Sequence, residues 1–135
     1  MKQHPAATEL LASASNFLRD ELLPSLRGAH AFNLRICINA IDLVRREIEQ
    51  GADAIERERS RLVELLGRDT GLDAMRNELC RRISSGELTL DQPALREHLR
   101  ATTMERLAVD QPNYSAYLAA VARRGGTDQN EPSEE

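Results

Sequence analysis

The sequence predicts an all-α protein: a compact bundle of five to six helices with a central, largely apolar second helix and a disordered acidic C-terminal tail. Apolar residues recur along most of the chain at the i, i+3, i+4, i+7 spacing of amphipathic helices. Aromatic residues make up only 3% of the sequence, and tryptophan is absent. The core must therefore consist of aliphatic side chains, which favours helix packing over a β-sandwich, where aromatic and β-branched residues dominate.

Proline and glycine mark most of the predicted helix ends, because proline cannot continue a helix and glycine often follows its last turn. Pro5 opens the first helix, and Pro24 and Gly28 end it. Asp91 is the predicted N-cap of the fifth helix, with Pro93 in its first turn. The second predicted helix covers residues 31–50 and is ended by Gly51, and the third covers residues 53–66 and is ended by Gly67. The fourth runs from Asp69 or Thr70 to Gly86. A short sixth helix contains Tyr114, Tyr117, Leu118 and Val121.

Residues 5–124 are predicted to form a single helical domain, and residues 125–135 a disordered acidic tail without apolar side chains to bury. The tail contains four of the 22 acidic residues, and the 18 that remain equal the 18 basic residues of the chain. The domain is therefore formally neutral. Nucleic-acid and anionic-membrane binding are not expected of it, because both need a concentrated positive field.

The composition favours a cytoplasmic protein. The N-terminal residues lack a signal-peptide pattern, and no apolar run approaches the roughly 20 residues of a membrane span. Cys37 and Cys80 are not spaced as a C-x-x-C pair. We expect both to be reduced, buried small hydrophobes.

A line of polar residues runs through the most apolar stretch, RICINAIDLVRREIE, at Arg35, Asn39, Asp42 and Arg46. At about 100° per residue these side chains share one stripe roughly 80° wide, and apolar residues fill much of the remaining circumference. Two interpretations stay open. The stripe is either the edge where a buried helix meets water, or the floor of a groove in which Arg35 and Arg46 bind an anion.

Two carboxylates fall among apolar positions. Glu47 lies about 120° from Arg35 on the helical wheel, beside Ile36 and Leu43, and Glu58 shares a face with Leu62. A buried, unpaired carboxylate costs several kcal/mol, so we expect an arginine or backbone donors to pair with each one. The alternative is a carboxylate with a perturbed pKa in a functional pocket.

Catalytic and cofactor motifs are absent. There is no glycine-rich phosphate loop, no G-x-S-x-G elbow and no H-x-x-x-H pair, so neither a cofactor nor a metal is expected. His98 is predicted to be partly exposed on its helix.

The stretch LPSLRGAHAFNLRICINAIDLVRREIEQG resembles a small bacterial all-helical domain family of unknown function, with the pattern P-x-L-x-G, F-x-x-R-x-x-x-N and R-E-hydrophobic. The resemblance continues through RLVELLG, the I-x-x-G of Ile83 to Gly86, and HLRATTMERLAVDQPNY. The matching positions of the first stretch are Pro24, Leu26, Gly28, Phe32, Arg35, Asn39, Arg46 and Glu47.

Members of that family are encoded beside, or fused to, aminoglycoside- and choline-kinase-like phosphotransferases and near acyl-CoA dehydrogenases. The resemblance implies a non-catalytic accessory domain that binds such a phosphotransferase, an acyl-CoA dehydrogenase or a second copy of itself. An interaction domain of this kind needs an exposed apolar patch or a dimer interface, and we expect the edge formed by Tyr114, Tyr117 and Leu118 to provide it. The alternative is a protein or enzyme that binds an acyl-CoA or phosphorylated ligand through Arg35, Asn39, Arg46 and Glu47.

Overall fold

The computed structural model describes residues 4–127, which form five α-helices and no β-strand. The predicted all-α class is confirmed. The helices are α1 (Ala7–Phe17), α2 (Gly28–Leu66), α3 (Leu72–Ser84), α4 (Pro93–Asp110) and α5 (Ser115–Thr127), and a π-helical turn (Leu18–Leu22) and a 3₁₀ turn (Leu23–Ser25) join α1 to α2. The predicted disordered tail lies outside the described residues from residue 128 onward, and α5 continues through Gly125 and Gly126.

The predicted second and third helices are one continuous helix of 39 residues, so the expectation that Gly51 ends a helix is wrong. The glycines that do follow a helix, Gly67 and Gly86, have φ angles of 88° and 80°, whereas Gly51 lies within α2 and is not among the residues with positive φ. A glycine inside a helix costs only about 1 kcal/mol relative to alanine. The good helix formers that follow Gly51 offset that cost.

The chain divides into two compact units, one ending at Asp53 and the other beginning at Ala54. In the first unit, α1 and the first half of α2 bury few side chains. Of residues 4–53, only Ser15, Ala31 and Ile38 are buried. Eight large apolar side chains of residues 4–53 are exposed instead: Leu10, Phe17, Leu22, Phe32, Ile36, Leu43, Val44 and Ile48. The apolar second helix is therefore not enclosed on all sides as its composition predicted.

The second unit contains the aliphatic core. Leu62 of α2, Met75 and Leu79 of α3, and Leu95 of α4 form one buried cluster. The half-buried side chains of Val63, Leu65, Leu66, Leu72 and Leu88 pack around it. Met75 and Leu79 have the i, i+4 spacing of one helix face, although Ile83, which continues that face, is exposed.

The i, i+4 row of α4 that begins at Leu95 is not buried along its whole length. Leu99 is exposed, and the buried positions are Leu95, His98 and Val109. The burial of His98 corrects the prediction that it would be partly exposed. Pro93 is the first residue of α4 as predicted, but the N-cap is Gln92 rather than Asp91.

Both cysteines are free thiols, and both are exposed, so the expectation that they are buried is wrong. No helix within residues 4–127 has the length and apolar character needed to cross a membrane.

We expect Gly51→Ala to raise the free energy of unfolding by about 0.5–1 kcal/mol, because alanine loses less backbone entropy in a helix. The nearest atom to a Cβ at this position would be Oε1 of Glu47 at 3.4 Å, an ordinary contact with a flexible side chain. Gly67→Ala is the matched control, since its φ of 88° strains any L side chain and the change should destabilise the protein. Urea denaturation measures both changes, and two shifts of the same sign would contradict the assignment.

Candidate functional site

The members of the predicted polar line on α2 differ in exposure. Arg35 and Asn39 are exposed, Arg46 is half-buried, and Asp42 is directed toward α1. The Ser15 hydroxyl donates to Oδ1 of Asp42 at 2.6 Å, and Nη2 of Arg19 donates to Oδ2 at 2.5 Å. Asp42 therefore ties α1 to α2, and the ligand-binding role of the other members stays a prediction.

The partners of Asp42, which are Ser15 of α1 and Arg19 of the π-helical turn, were not recognised from the sequence. Ser15 and Arg19 are one helical turn apart, so both side chains reach the same carboxylate, and Arg19 Nη2 also donates to the Ser15 hydroxyl at 3.2 Å. Serine and arginine at i, i+4 are common on helix surfaces. The only distinguishing signal is that Ser15 is buried, which the sequence does not reveal.

Glu47 is exposed, which corrects the prediction that it is buried and needs a partner. Its position on the helical wheel was right, because it lies on the same face as Phe32, Ile36 and Leu43. That face itself is exposed, so Glu47 is solvated together with its apolar neighbours.

The exposed apolar face of α2 is the most unusual surface of the first unit. Phe32, Ile36, Leu43, Val44 and Ile48 are all exposed and cover about 160° of the helix circumference. Single exposed hydrophobic residues are ordinary, but a contiguous apolar surface on a helix indicates an interaction site. We call these five residues the α2 apolar face.

In the second unit, Glu58 has the arginine partner that the sequence predicted. Arg76 of α3 donates from Nε and Nη2 to the two Glu58 carboxylate oxygens, each at 2.7 Å. These hydrogen bonds hold the pKa of Glu58 below its ordinary value, although burial acts in the opposite direction. The pair links α2 to α3.

A second arginine links α2 to three residues on one face of α4. Arg61 donates from Nε to Nδ1 of His98 at 3.3 Å and from Nη2 to the hydroxyl of Thr102 at 3.2 Å. It also binds both oxygens of Glu105, at 3.2 and 3.0 Å, and Arg57 donates to the same carboxylate at 2.8 Å. This Arg61 network brings together residues at positions 98, 102 and 105, whose spacing is that of one helix face.

The Arg61 network fixes the protonation states of its members. Since Nδ1 of His98 accepts a hydrogen bond, the neutral ring carries its proton on Nε2. Burial lowers the pKa of His98 and the Arg61 guanidinium lowers it further, against smaller opposing effects of Glu58 and Glu105. Burial raises the pKa of Glu105, but Arg61 and Arg57 outweigh it and the net shift is downward.

The Arg76–Glu58 pair and the Arg61 network stabilise the fold and do not resemble a catalytic centre. Carboxylates paired with arginine and held below their ordinary pKa are weak bases, and at neutral pH they have no proton to donate. Among residues 4–127, no three His, Cys, Asp or Glu side chains come close enough together to hold a metal ion.

The family model that matches this chain is described as a domain of unknown function, DUF6285, and it covers residues 24–114. The match includes all of α2, α3 and α4, and every numbered position that carried the sequence resemblance, from Pro24 to Tyr114. The chain belongs to this family. No curated protein and no solved structure shows significant similarity to it.

Glu58→Gln should lower the free energy of unfolding at pH 7 by about 1–3 kcal/mol, the usual range for lost charge-assisted hydrogen bonds in a partly buried site. Since the folded pKa of Glu58 is lowered, its contribution is complete well above pH 4.5 and is lost as the pH falls through the folded value. Glu64→Gln, at an exposed position of the same helix, is the control and should change stability by under about 0.5 kcal/mol. Equal losses in the two variants would contradict the Arg76–Glu58 assignment.

His98 should make the free energy of unfolding depend on pH below 6.5, its ordinary pKa. Its folded pKa lies below the ordinary 6.5, so the unfolded chain binds a proton that the folded protein does not, and stability falls as the pH drops below 6.5. Urea denaturation at a series of pH values should give a shallower slope for His98→Asn than for the wild type. His30→Asn, at an exposed position, should retain the wild-type slope.

Proposed function

We propose that this DUF6285 protein is a non-catalytic accessory domain that binds a kinase-fold phosphotransferase through the α2 apolar face. The observation that carries the proposal is the distribution of side chains in the first unit. Its largest apolar residues are exposed, while a serine is among its few buried residues. Burying apolar surface contributes about 25 cal/mol per Å², so this face provides a large driving force for association.

The composition of the face also fits a protein partner. Aromatic and aliphatic anchors at the centre of an interface and polar residues at its rim are typical of stable protein complexes. Phe32 is an aromatic anchor, and Asn39 lies beside it at the edge of the face, whereas Glu47 lies within the face. An amphipathic helix of this kind binds in a hydrophobic groove of its partner.

The nature of the partner rests on the family resemblance. The resemblance implies that such domains are encoded beside or fused to aminoglycoside- and choline-kinase-like phosphotransferases, in a context of acyl-CoA catabolism. Residues 4–127 form no strand and therefore contain no kinase lobe. An accessory role beside such an enzyme is consistent with the resemblance and with the helical fold.

The test is co-purification of the full chain with an aminoglycoside- or choline-kinase-like phosphotransferase from the same genome, followed by analytical ultracentrifugation. Ile36→Glu should weaken the complex at least about tenfold, because a carboxylate would be buried in an apolar interface. Leu118→Glu is the matched control, since Ile36 and Leu118 have similar exposed fractions of 51% and 49% but lie on α2 and α5. It should leave the complex intact.

Each alternative outcome has a defined meaning. Loss of binding in Leu118→Glu alone would place the interface at the edge that includes Tyr114 and Tyr117, and would overturn the role of the α2 apolar face. Concentration-dependent self-association that Ile36→Glu abolishes, without binding to the phosphotransferase, would replace the proposed partner with a second copy of the chain. No association with either would overturn the proposal as a whole.

A further inference from the structure

Glu47 is a carboxylate within an otherwise apolar surface. The α2 apolar face spans about 160° of the helix from Phe32 to Ile48, and Glu47 lies about 60° from Phe32, close to the centre of that arc. Its neighbours on the helix, Leu43, Val44 and Ile48, are all exposed. A partner that covers the α2 apolar face must therefore cover this carboxylate as well.

Glu47 has no partner of its own, unlike other carboxylates of the same helix. An arginine donates a hydrogen bond to Asp42, and Nη1 of Arg45 donates to Oε1 of Glu49 at 3.3 Å. Among residues 4–127, no side chain donates a hydrogen bond to Glu47 or forms an ion pair with it. Water solvates the carboxylate in the free protein, and a partner that displaces this water must supply donors in its place.

Gly51 leaves the Glu47 carboxylate open to approach. Oε1 of Glu47 lies 3.4 Å from the position of a Cβ at residue 51, so the carboxylate extends toward the glycine on the next turn. Neither a positive φ nor a close contact requires glycine here, although glycine is unfavourable inside a helix. A helical side chain lies over the turn that precedes it, so a longer residue at position 51 would lie against the carboxylate.

We propose that the groove which covers the α2 apolar face contains an arginine that pairs with Glu47. This inference rests on the proposed function and states the chemistry of the phosphotransferase surface. A groove that is apolar throughout would bury the carboxylate without a partner, which is costly. A guanidinium can donate to both carboxylate oxygens, and the aliphatic part of the arginine side chain can pack on Leu43 and Val44.

Glu47 is then the specificity-determining residue of the interface. The apolar residues of the face provide most of the driving force, but they fit any apolar groove of suitable shape. The carboxylate excludes grooves that lack a cation at this point, because specificity needs a group that penalises the wrong partner.

The test is isothermal titration calorimetry of the full chain with the phosphotransferase that co-purifies with it. Glu47→Gln should weaken the complex at least about tenfold, because the arginine of the partner would be buried without its counter-charge. Glu64→Gln is the matched control. Glu64 is exposed on the same helix and makes no hydrogen bond or ion pair with a side chain of residues 4–127, but it lies outside the α2 apolar face. This change should leave the affinity unaltered.

Two further variants separate the ion pair from apolar attraction. Glu47→Leu adds apolar area, so it would strengthen binding to a groove without a cation but should weaken binding to a groove with one at least about tenfold. Gly51→Leu should also weaken the complex, because its side chain would lie against the carboxylate, while leucine favours the helix more than glycine does. Circular dichroism checks that each variant keeps its helices.

The outcomes distinguish this inference from the proposed function. A complex that Ile36→Glu disrupts, but that Glu47→Gln and Glu64→Gln leave equally strong, would overturn the pairing of Glu47 and support the α2 apolar face as the interface. Tighter binding of Glu47→Leu than of the wild type would show that the groove is apolar throughout, and would also overturn the pairing. Absence of any complex with the wild type would overturn both proposals.

Discussion

The second unit depends on one guanidinium group. The inner face of α4 is apolar at Leu95 and Val109 but polar between them, and a polar strip packed against another helix is stable only if its groups are paired. Arg61 provides donors to three of these groups at once, including both oxygens of Glu105. Without it, a buried imidazole and a carboxylate would lose hydrogen bonds together, which costs more than either loss alone.

The two units distribute polarity in opposite ways. In the second unit, an aliphatic cluster around Leu62 and Met75 lies inside, and arginine–glutamate pairs surround it. In the first unit, the Ser15–Asp42 hydrogen bond lies between the helices, and large apolar side chains are exposed. An exposed apolar helix face is unfavourable for a protein that acts alone. Its presence is the main physical reason to assign a binding role to the first unit.

Arginine side chains also pair with several of the titratable groups. Glu58, Glu105 and Asp42 are each held by an arginine, and His98 accepts a hydrogen bond from another. Active sites usually keep an acid or base accessible to a substrate and adjust its pKa toward neutrality. Here the arginines hold the carboxylates of the second unit below their ordinary pKa, which stabilises helix packing and gives them little use in proton transfer.

The sequence by itself determined the helical class, the apolar positions of α3, and the need of Glu58 for an arginine, because each follows from spacing along one helix and from the cost of burying charge. Only the tertiary structure decided what covers each face. Glu47 shares a face with apolar residues but is solvated, because that face is exposed. His98 was predicted to be partly exposed but is buried, because it lies on the face of α4 that contacts Arg61. Helical periodicity identifies the residues that lie together. The elements that pack against them come from distant parts of the chain, and no local pattern specifies those.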